Sequence, residues 1–172
     1  MLLRQMLGYA LLLGVVCPLL ASAQEGTAKG SMTVNGKAIV LSHAYAFAQP
    51  NHFDKEREDL RVILTDKPIS DDALRHDRDQ LDKQAAAGTL HAIAVTIGND
   101  MSGHGKSADS NDIYVAEINH GWLNTSGLDT FEMTSLDAKA LSGRLHMIAP
   151  HEFGDDNTKF DYDVTFNAAI AR

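Results

Sequence analysis

Histidine is the residue type in this chain best suited to chemistry, because imidazole is a ligand for copper and zinc. The chain has eight histidines, and they are scattered singly, with no His-x-His and no His-Glu-x-x-His. A metal site would therefore have to be assembled by the fold. The best candidate set combines imidazole with thioether ligands near loops and strand ends: Met101, His104, His120, His146, Met147 and His151. The scattering itself favours ordinary packed and surface histidines over a copper or zinc site.

A second candidate site is centred on Trp122, the only tryptophan of the chain. Trp122 and Asn124 lie in the segment 121–127, which we predict to be a loop, and His104 lies in another predicted loop, 100–111. A buried Trp122 would close one end of the domain, and this interpretation is the simpler one. An exposed Trp122 would be an anchor for a small ligand or a protein partner.

No recognisable catalytic motif occurs in this chain. There is no Gly-x-Ser-x-Gly elbow, no Ser-x-x-Lys and no phosphate-binding loop, and the acidic stretch 155–163 does not match a calcium loop. Ser102 and His104 are close only in sequence, which leaves an exported hydrolase as the weakest hypothesis. The sequence thus favours a binding protein over an enzyme.

The first 23 residues are typical of a cleavable secretory signal peptide. Arg4 precedes an apolar run over residues 11–20, and Ala21-Ser22-Ala23 has the small-x-small pattern that signal peptidase accepts. Cleavage would remove Cys17, the only cysteine, so thiol and disulfide chemistry would be excluded from the mature protein. We therefore expect a periplasmic or secreted protein that does not insert into a membrane after cleavage. The formal charge of −8 argues against a nucleic-acid partner.

The elements that must position these residues are mainly strands. Asn35-Gly36 is the dipeptide of a two-residue hairpin turn, and residues 159–169 alternate between apolar and polar side chains. Further apolar or alternating runs occur at 60–65, 90–97 and 113–118, and again within 128–134 and 139–149. Only residues 70–87 have the capping and acidic first turn of a helix.

These patterns predict an all-β fold with about eight strands and one inserted α-helix. We expect an antiparallel β-sandwich, immunoglobulin-like in a loose sense, with a flattened barrel as the alternative. The domain organisation would be a leader (1–23), a loose tail (24–30) and one domain (31–172). The leading functional hypothesis is an exported binding protein whose loops hold a protein or a small molecule. The alternative is a periplasmic copper- or zinc-binding protein that uses the histidine and methionine set.

Overall fold

The computed structural model describes residues 25–98, 110–118, 121–153 and 157–171. Within these ranges the chain is mostly β, which confirms the all-β prediction. Its elements, in chain order, are β1 (Gly26–Val34), β2 (Lys37–Pro50), β3 (Glu58–Thr65), α1 (Asp71–Arg75), α2 (Asp77–Ala86), β4 (Ala92–Gly98), β5 (Ser110–Tyr114), β6 (Trp122–Asn124), β7 (Asp129–Leu136), β8 (Ala140–Met147), β9 (His151–Phe153) and β10 (Thr158–Ala171).

All of these strands belong to one sheet, in the order β6-β5-β4-β3-β2-β1-β10-β8-β7, with β9 paired to β10. The pairs are antiparallel except for a short parallel contact in which Ile170 and Ala171 of β10 lie beside β2. Only residues 125–128 separate β6 from β7, the first and last strands of this order. The sheet must therefore curl until its two edges approach each other. The strands thus form one curled sheet, and the immunoglobulin-like sandwich is not confirmed.

Two apolar clusters lie on the two faces of the curled sheet. The larger cluster fills the inner face and takes side chains from nearly every long strand, with Leu41, Ile93 and Val164 among those that are fully buried. The smaller cluster lies outside, where Leu81 and Ala85 of α2 cover β2 to β5. Burial on this face, rather than helix propensity, holds such short helices in place. Among the described residues, no helix has the length and apolar composition that crossing a bilayer would need.

The strongest local signals of the sequence are confirmed. Asn35 and Gly36 have φ angles of 48° and 81°, as the two central residues of a type I′ turn require, and they join β1 to β2. In β10 the alternate residues from Thr158 to Ala168 are buried and those between them lie outward. Both features depend only on neighbours in sequence, which is why the sequence predicts them well.

Several boundaries differ from the prediction. The segment 24–30 was expected to be a tail, yet β1 starts at Gly26, because Gly26 and Gly30 allow close approach to β10: a Cβ atom there would meet the β10 backbone at 2.2 and 2.1 Å. The predicted helix 70–87 has the Ser70 cap, but it is broken into α1 and α2 at His76, whose ψ angle is 41°. The strand predicted at 113–118 runs instead from Ser110 to Tyr114.

Two short strands, β6 and β9, are additional to the eight that the sequence indicates. Each has three residues, which is too short to establish a period of two. The structure describes Trp122 and Asn124 as the ends of β6 rather than as part of a loop. The expected leader, residues 1–23, lies outside the described residues.

Candidate functional site

Arg61 is the most unusual residue of the sheet, because it is a charged side chain in the middle of an apolar strand. It lies in β3 between Leu60 and Val62, and it is only 1% exposed. Its side chain lies on the outer face of the sheet, under the start of α2. A buried guanidinium is tolerated only when charged and polar partners replace the lost water.

Arg61 has such partners on three elements. Its Nε donates to Asp77 Oδ2 of α2 at 3.0 Å, and its Nη2 donates to Asp112 Oδ2 of β5 at 3.1 Å. Nη1 donates to Thr96 Oγ1 of β4 at 2.9 Å, and Nη2 also approaches the hydroxyl of Tyr114 at 3.4 Å. We call this set of five residues the Arg61 cluster. It fastens the first turn of α2 to the sheet.

The electrostatics of the Arg61 cluster follow from burial and from the carboxylates. Burial acts to lower the pKa of the Arg61 guanidinium, but Asp77, Tyr114 and Asp112 outweigh it and hold that pKa above its ordinary value. Burial raises the pKa of the Tyr114 phenol far above its ordinary value, although the charge of Arg61 opposes the shift. At neutral pH the cluster therefore contains a charged guanidinium and a neutral phenol.

A cavity of about 230 Å³ opens beside the Arg61 cluster, between α2 and strands β5 and β6. Most of its lining residues are polar or charged, and the rings of Tyr114 and Trp122 add apolar surface: Arg78, Asp79, Asp82, Ser110, Asp112, Tyr114, Trp122 and Asn124. Trp122 is 46% exposed, so it does not close the end of the domain. The cavity is smaller than the roughly 300–1,000 Å³ of drug-sized ligand sites, which limits an occupant to a small molecule.

Close packing holds α2 against β6 on one side of the cavity. Gly121 precedes β6, and a Cβ atom there would lie 2.8 Å from Asp82 Oδ1 and 3.0 Å from the backbone nitrogen of Ala86. The side chain of Asn124 is fixed too, since its Nδ2 donates to Asp112 Oδ1 at 3.1 Å and to Ser110 Oγ at 3.2 Å. The cavity walls are thus positioned by the fold.

A second polar group lies on the inner side of the sheet, where Asn111 of β5 is buried. Asn111 Nδ2 and the hydroxyl of Tyr162 both donate to the carboxylate of Asp129, and Thr125 Oγ1 lies 3.5 Å from the same carboxylate. We call these four residues the Asp129 cluster. Burial raises the pKa of the Asp129 carboxyl above its ordinary value, although hydrogen bonds from Tyr162, Asn111 and Thr125 oppose the shift. Within the described chain, Asn111 Oδ1 is buried with no hydrogen-bond partner.

The residues predicted from sequence are only partly brought together. Trp122 and Asn124 line the same cavity, whereas His104, the third residue of that hypothesis, lies outside the described residues. Three of the predicted metal ligands, Met101, His104 and His120, also lie outside them.

The three remaining candidates for metal binding have separate surroundings. His146 lies on the outer face of β8, with Nε2 3.4 Å from Glu132 Oε1, while the neighbouring Met147 is in the inner apolar cluster. His151 is in β9, with its ring edge-on to Phe160 at a centroid distance of 5.8 Å. No group of three or more His, Cys, Asp or Glu residues that could hold a metal ion occurs among the described residues. The copper or zinc site stays a prediction, which elemental analysis of the purified protein would test.

The sequence reasoning missed Arg61 and the α2 side of the cavity. A signal was present, because an arginine inside the run 60–65 needs a buried carboxylate partner. Asp77 and Asp112 would have been candidates, but nothing in the sequence pairs them with Arg61 across the sheet.

The chain matches no protein-family model, and no curated protein or solved structure is significantly similar to it. Its function has to be argued from the geometry of the cavity and its surroundings.

Proposed function

We propose that this protein is an exported binding protein that takes a small ligand in the cavity between α2 and strands β5 and β6. The observation that carries the proposal is the indole of Trp122, which is 46% exposed on the wall of a cavity of about 230 Å³. Leaving a large apolar side chain in contact with water brings no stability to the fold, whereas a ligand that covers it gains free energy from the burial.

The hydrogen bonds around the cavity favour a preformed binding site over a packing accident. Arg61 fixes α2 and β5 relative to each other, and Asn124 is held by two hydrogen bonds. A cavity with preset walls loses little conformational entropy when a ligand enters. Asp79, Asp82 and Ser110 line the same cavity as the indole, and their polar groups could orient a ligand.

The single tryptophan makes the proposal directly testable, because its fluorescence reports on the cavity alone. Purified mature protein would be titrated with compounds of four classes: glucose, succinate, putrescine and choline. We expect a saturable change of Trp122 emission with at least one class, and calorimetry should show the same binding weakened in Trp122→Ala. Phe53→Ala is the matched control, since Phe53 is 94% exposed in the turn between β2 and β3 and does not line the cavity. If none of the four classes changed the emission or gave heat, the proposal would be wrong.

Export is the second part of the proposal, and it rests on the small-x-small pattern of Ala21-Ser22-Ala23 after an apolar run. Expression of the full chain in a bacterial host, followed by mass spectrometry of the periplasmic fraction, would test it. We expect a product that begins at Gln24. A full-length product retained in the cytoplasm would contradict export without bearing on the cavity.

A further inference from the structure

The cavity beside Trp122 has an uneven distribution of charge. Three carboxylates line it, those of Asp79, Asp82 and Asp112, against one guanidinium, that of Arg78. Arg61 lies behind the wall, and its charge is already shared between Asp112 and Asp77. The lining therefore presents net negative charge to an occupant.

Two of these carboxylates are not balanced by the protein. Asp79 and Asp82 form no ion pair within the part of the chain that the structure describes, and Asp82 Oδ1 is buried with no hydrogen-bond donor. This oxygen lies against Gly121, out of reach of water, while Asp82 as a whole is only partly buried and lines the cavity. A positive charge in the cavity would be attracted to its carboxylate. Asp82 is thus a second feature, independent of the indole, that favours a cationic occupant.

Two neutral groups of the lining, the Asn124 amide and the Trp122 indole, also favour a cation over an anion. Both donor positions of the Asn124 amide are used by Asp112 and Ser110, and its Oδ1 accepts from the backbone nitrogen of Ser126 at 3.2 Å. Asn124 is therefore not available to donate to an anionic ligand. The face of an indole, by contrast, attracts cations through its quadrupole.

From these observations we propose that the cavity binds a small organic ammonium ion, whose charge lies between the indole of Trp122 and the carboxylates of Asp79 and Asp82. This inference rests on the proposed function, because it names the chemical class of the ligand for the same cavity. The cavity volume of about 230 Å³ restricts the ion to a compact amine or a quaternary ammonium.

Pairs of probes that differ in charge but hardly in shape test the inference. Choline would be compared with its neutral carbon isostere dimethylbutanol, and putrescine with butanediol, by calorimetry on the mature protein at low salt. We expect at least one ammonium compound to bind, with its neutral counterpart about tenfold weaker or more, and an affinity that falls as salt is added. Trp122→Ala should weaken the ammonium compound by about two- to thirtyfold, the range of cation–π contacts.

Charge-neutral variants of the carboxylates provide the second arm. Asp79→Asn changes an exposed side chain in the first turn of α2, so we expect the fold to be kept, and Asp82→Asn keeps the shape of the wall. We expect each to weaken ammonium binding by about two- to tenfold, as removal of one partly screened ion pair does. The matched control is Asp161→Asn on β10, which does not line the cavity, changes the net charge equally and should leave the affinity unchanged.

The outcomes separate this inference from the proposed function. Equal binding of the charged and neutral probes, or preferential binding of succinate, would overturn the ammonium assignment while the cavity remained a binding site. An equal effect of Asp161→Asn and Asp79→Asn would overturn it as well, since the dependence would then be on net charge alone. Failure of every probe to bind would overturn both proposals.

Discussion

The Arg61 cluster and the Asp129 cluster lie on opposite sides of β5, and they bury the carboxylates of Asp112 of β5 and Asp129 of β7 in different ways. On the outer face of β5, Asp112 receives a full opposite charge from Arg61. On the inner face, Asp129 receives only neutral donors, from Asn111, Tyr162 and Thr125. The outer carboxylate is thus held by charge as well as by hydrogen bonds, whereas burial raises the pKa of the Asp129 carboxyl among its neutral donors. The outer cluster is therefore suited to holding a cavity wall, and the inner one to responding to pH.

Arg61→Met should break the outer cluster with the largest effect on stability. The variant leaves Asp112 and Asp77 without their counter-charge, and removal of one partner from a buried ion pair costs about 3–5 kcal/mol. Urea unfolding followed by circular dichroism would measure the loss. Arg78→Met is the control, since Arg78 is exposed on the cavity rim and its removal should change the free energy of unfolding by less than about 0.5 kcal/mol. Similar losses of stability in the two variants would show that the buried ion pairs of Arg61 do not stabilise the fold specifically.

Tyr162→Phe should break the inner cluster with an intermediate effect. It removes the hydroxyl that donates to Asp129 and leaves that carboxylate short of one donor. Hydrogen bonds to charged groups contribute about 1.5–3 kcal/mol, and urea unfolding should show a loss in that range. Tyr114→Phe offers the comparison in the outer cluster, because the longer 3.4 Å contact of Tyr114 with Arg61 should contribute less. A larger loss of stability for Tyr114→Phe than for Tyr162→Phe would contradict this prediction.

Asp129→Asn should change how stability depends on pH. The pKa of Asp129 is raised in the folded protein above its ordinary value of 3.8, so the folded state favours the protonated carboxyl. The contribution of the protonated Asp129 carboxyl to stability is fully present below that ordinary value, and it is lost as pH rises through the pKa of the folded protein. We therefore expect the stability of Asp129→Asn relative to the unsubstituted protein to rise with pH across that window. A relative stability that is independent of pH would contradict the raised pKa of Asp129.

Asp163→Asn should give the smallest change, and one of opposite sign. Hydrogen bonds from Arg144 at 2.8 and 2.7 Å lower the pKa of Asp163 on the outer surface of β10. The stability that this pair contributes is present above the ordinary pKa and is lost as pH falls through the folded one. Because both side chains are exposed, the effect should be small and should vanish in high salt. A loss that persisted in high salt would mean that the pair is less solvated than its exposure indicates.

Features decided by neighbours in sequence could be predicted, and those decided by pairing across the sheet could not. The turn at Asn35-Gly36 and the alternation of β10 depend on one or two residues at a time. The cap at Ser70 was equally local, but the break at His76 had no signal in composition. Alternation also places Tyr162 on an inner face, yet it says nothing of its partner Asp129, because period two reveals faces and not register.

The candidate site shows the same division. Trp122 and Asn124 stood out by residue type and spacing, since a single tryptophan in a polar segment is conspicuous. Asp79 and Asp82 could not be added to them, because they lie on a helix whose packing against β6 depends on Gly121. The residues that line the cavity lie in segments far apart in sequence, and only the tertiary structure brings them together.

The position of β10 has a consequence for the order in which this fold can form. β10 is last in chain order, yet it lies between β1 and β8 in the middle of the sheet. Until it inserts, β1 and β8 are open edges of two separate strand groups. Pairs such as Thr27 with Asn167 close very long loops, and such closure slows folding. For a chain exported as proposed, the sheet would stay open until β10 had crossed the membrane. A chain cut before Thr158 should therefore fail to form the complete sheet.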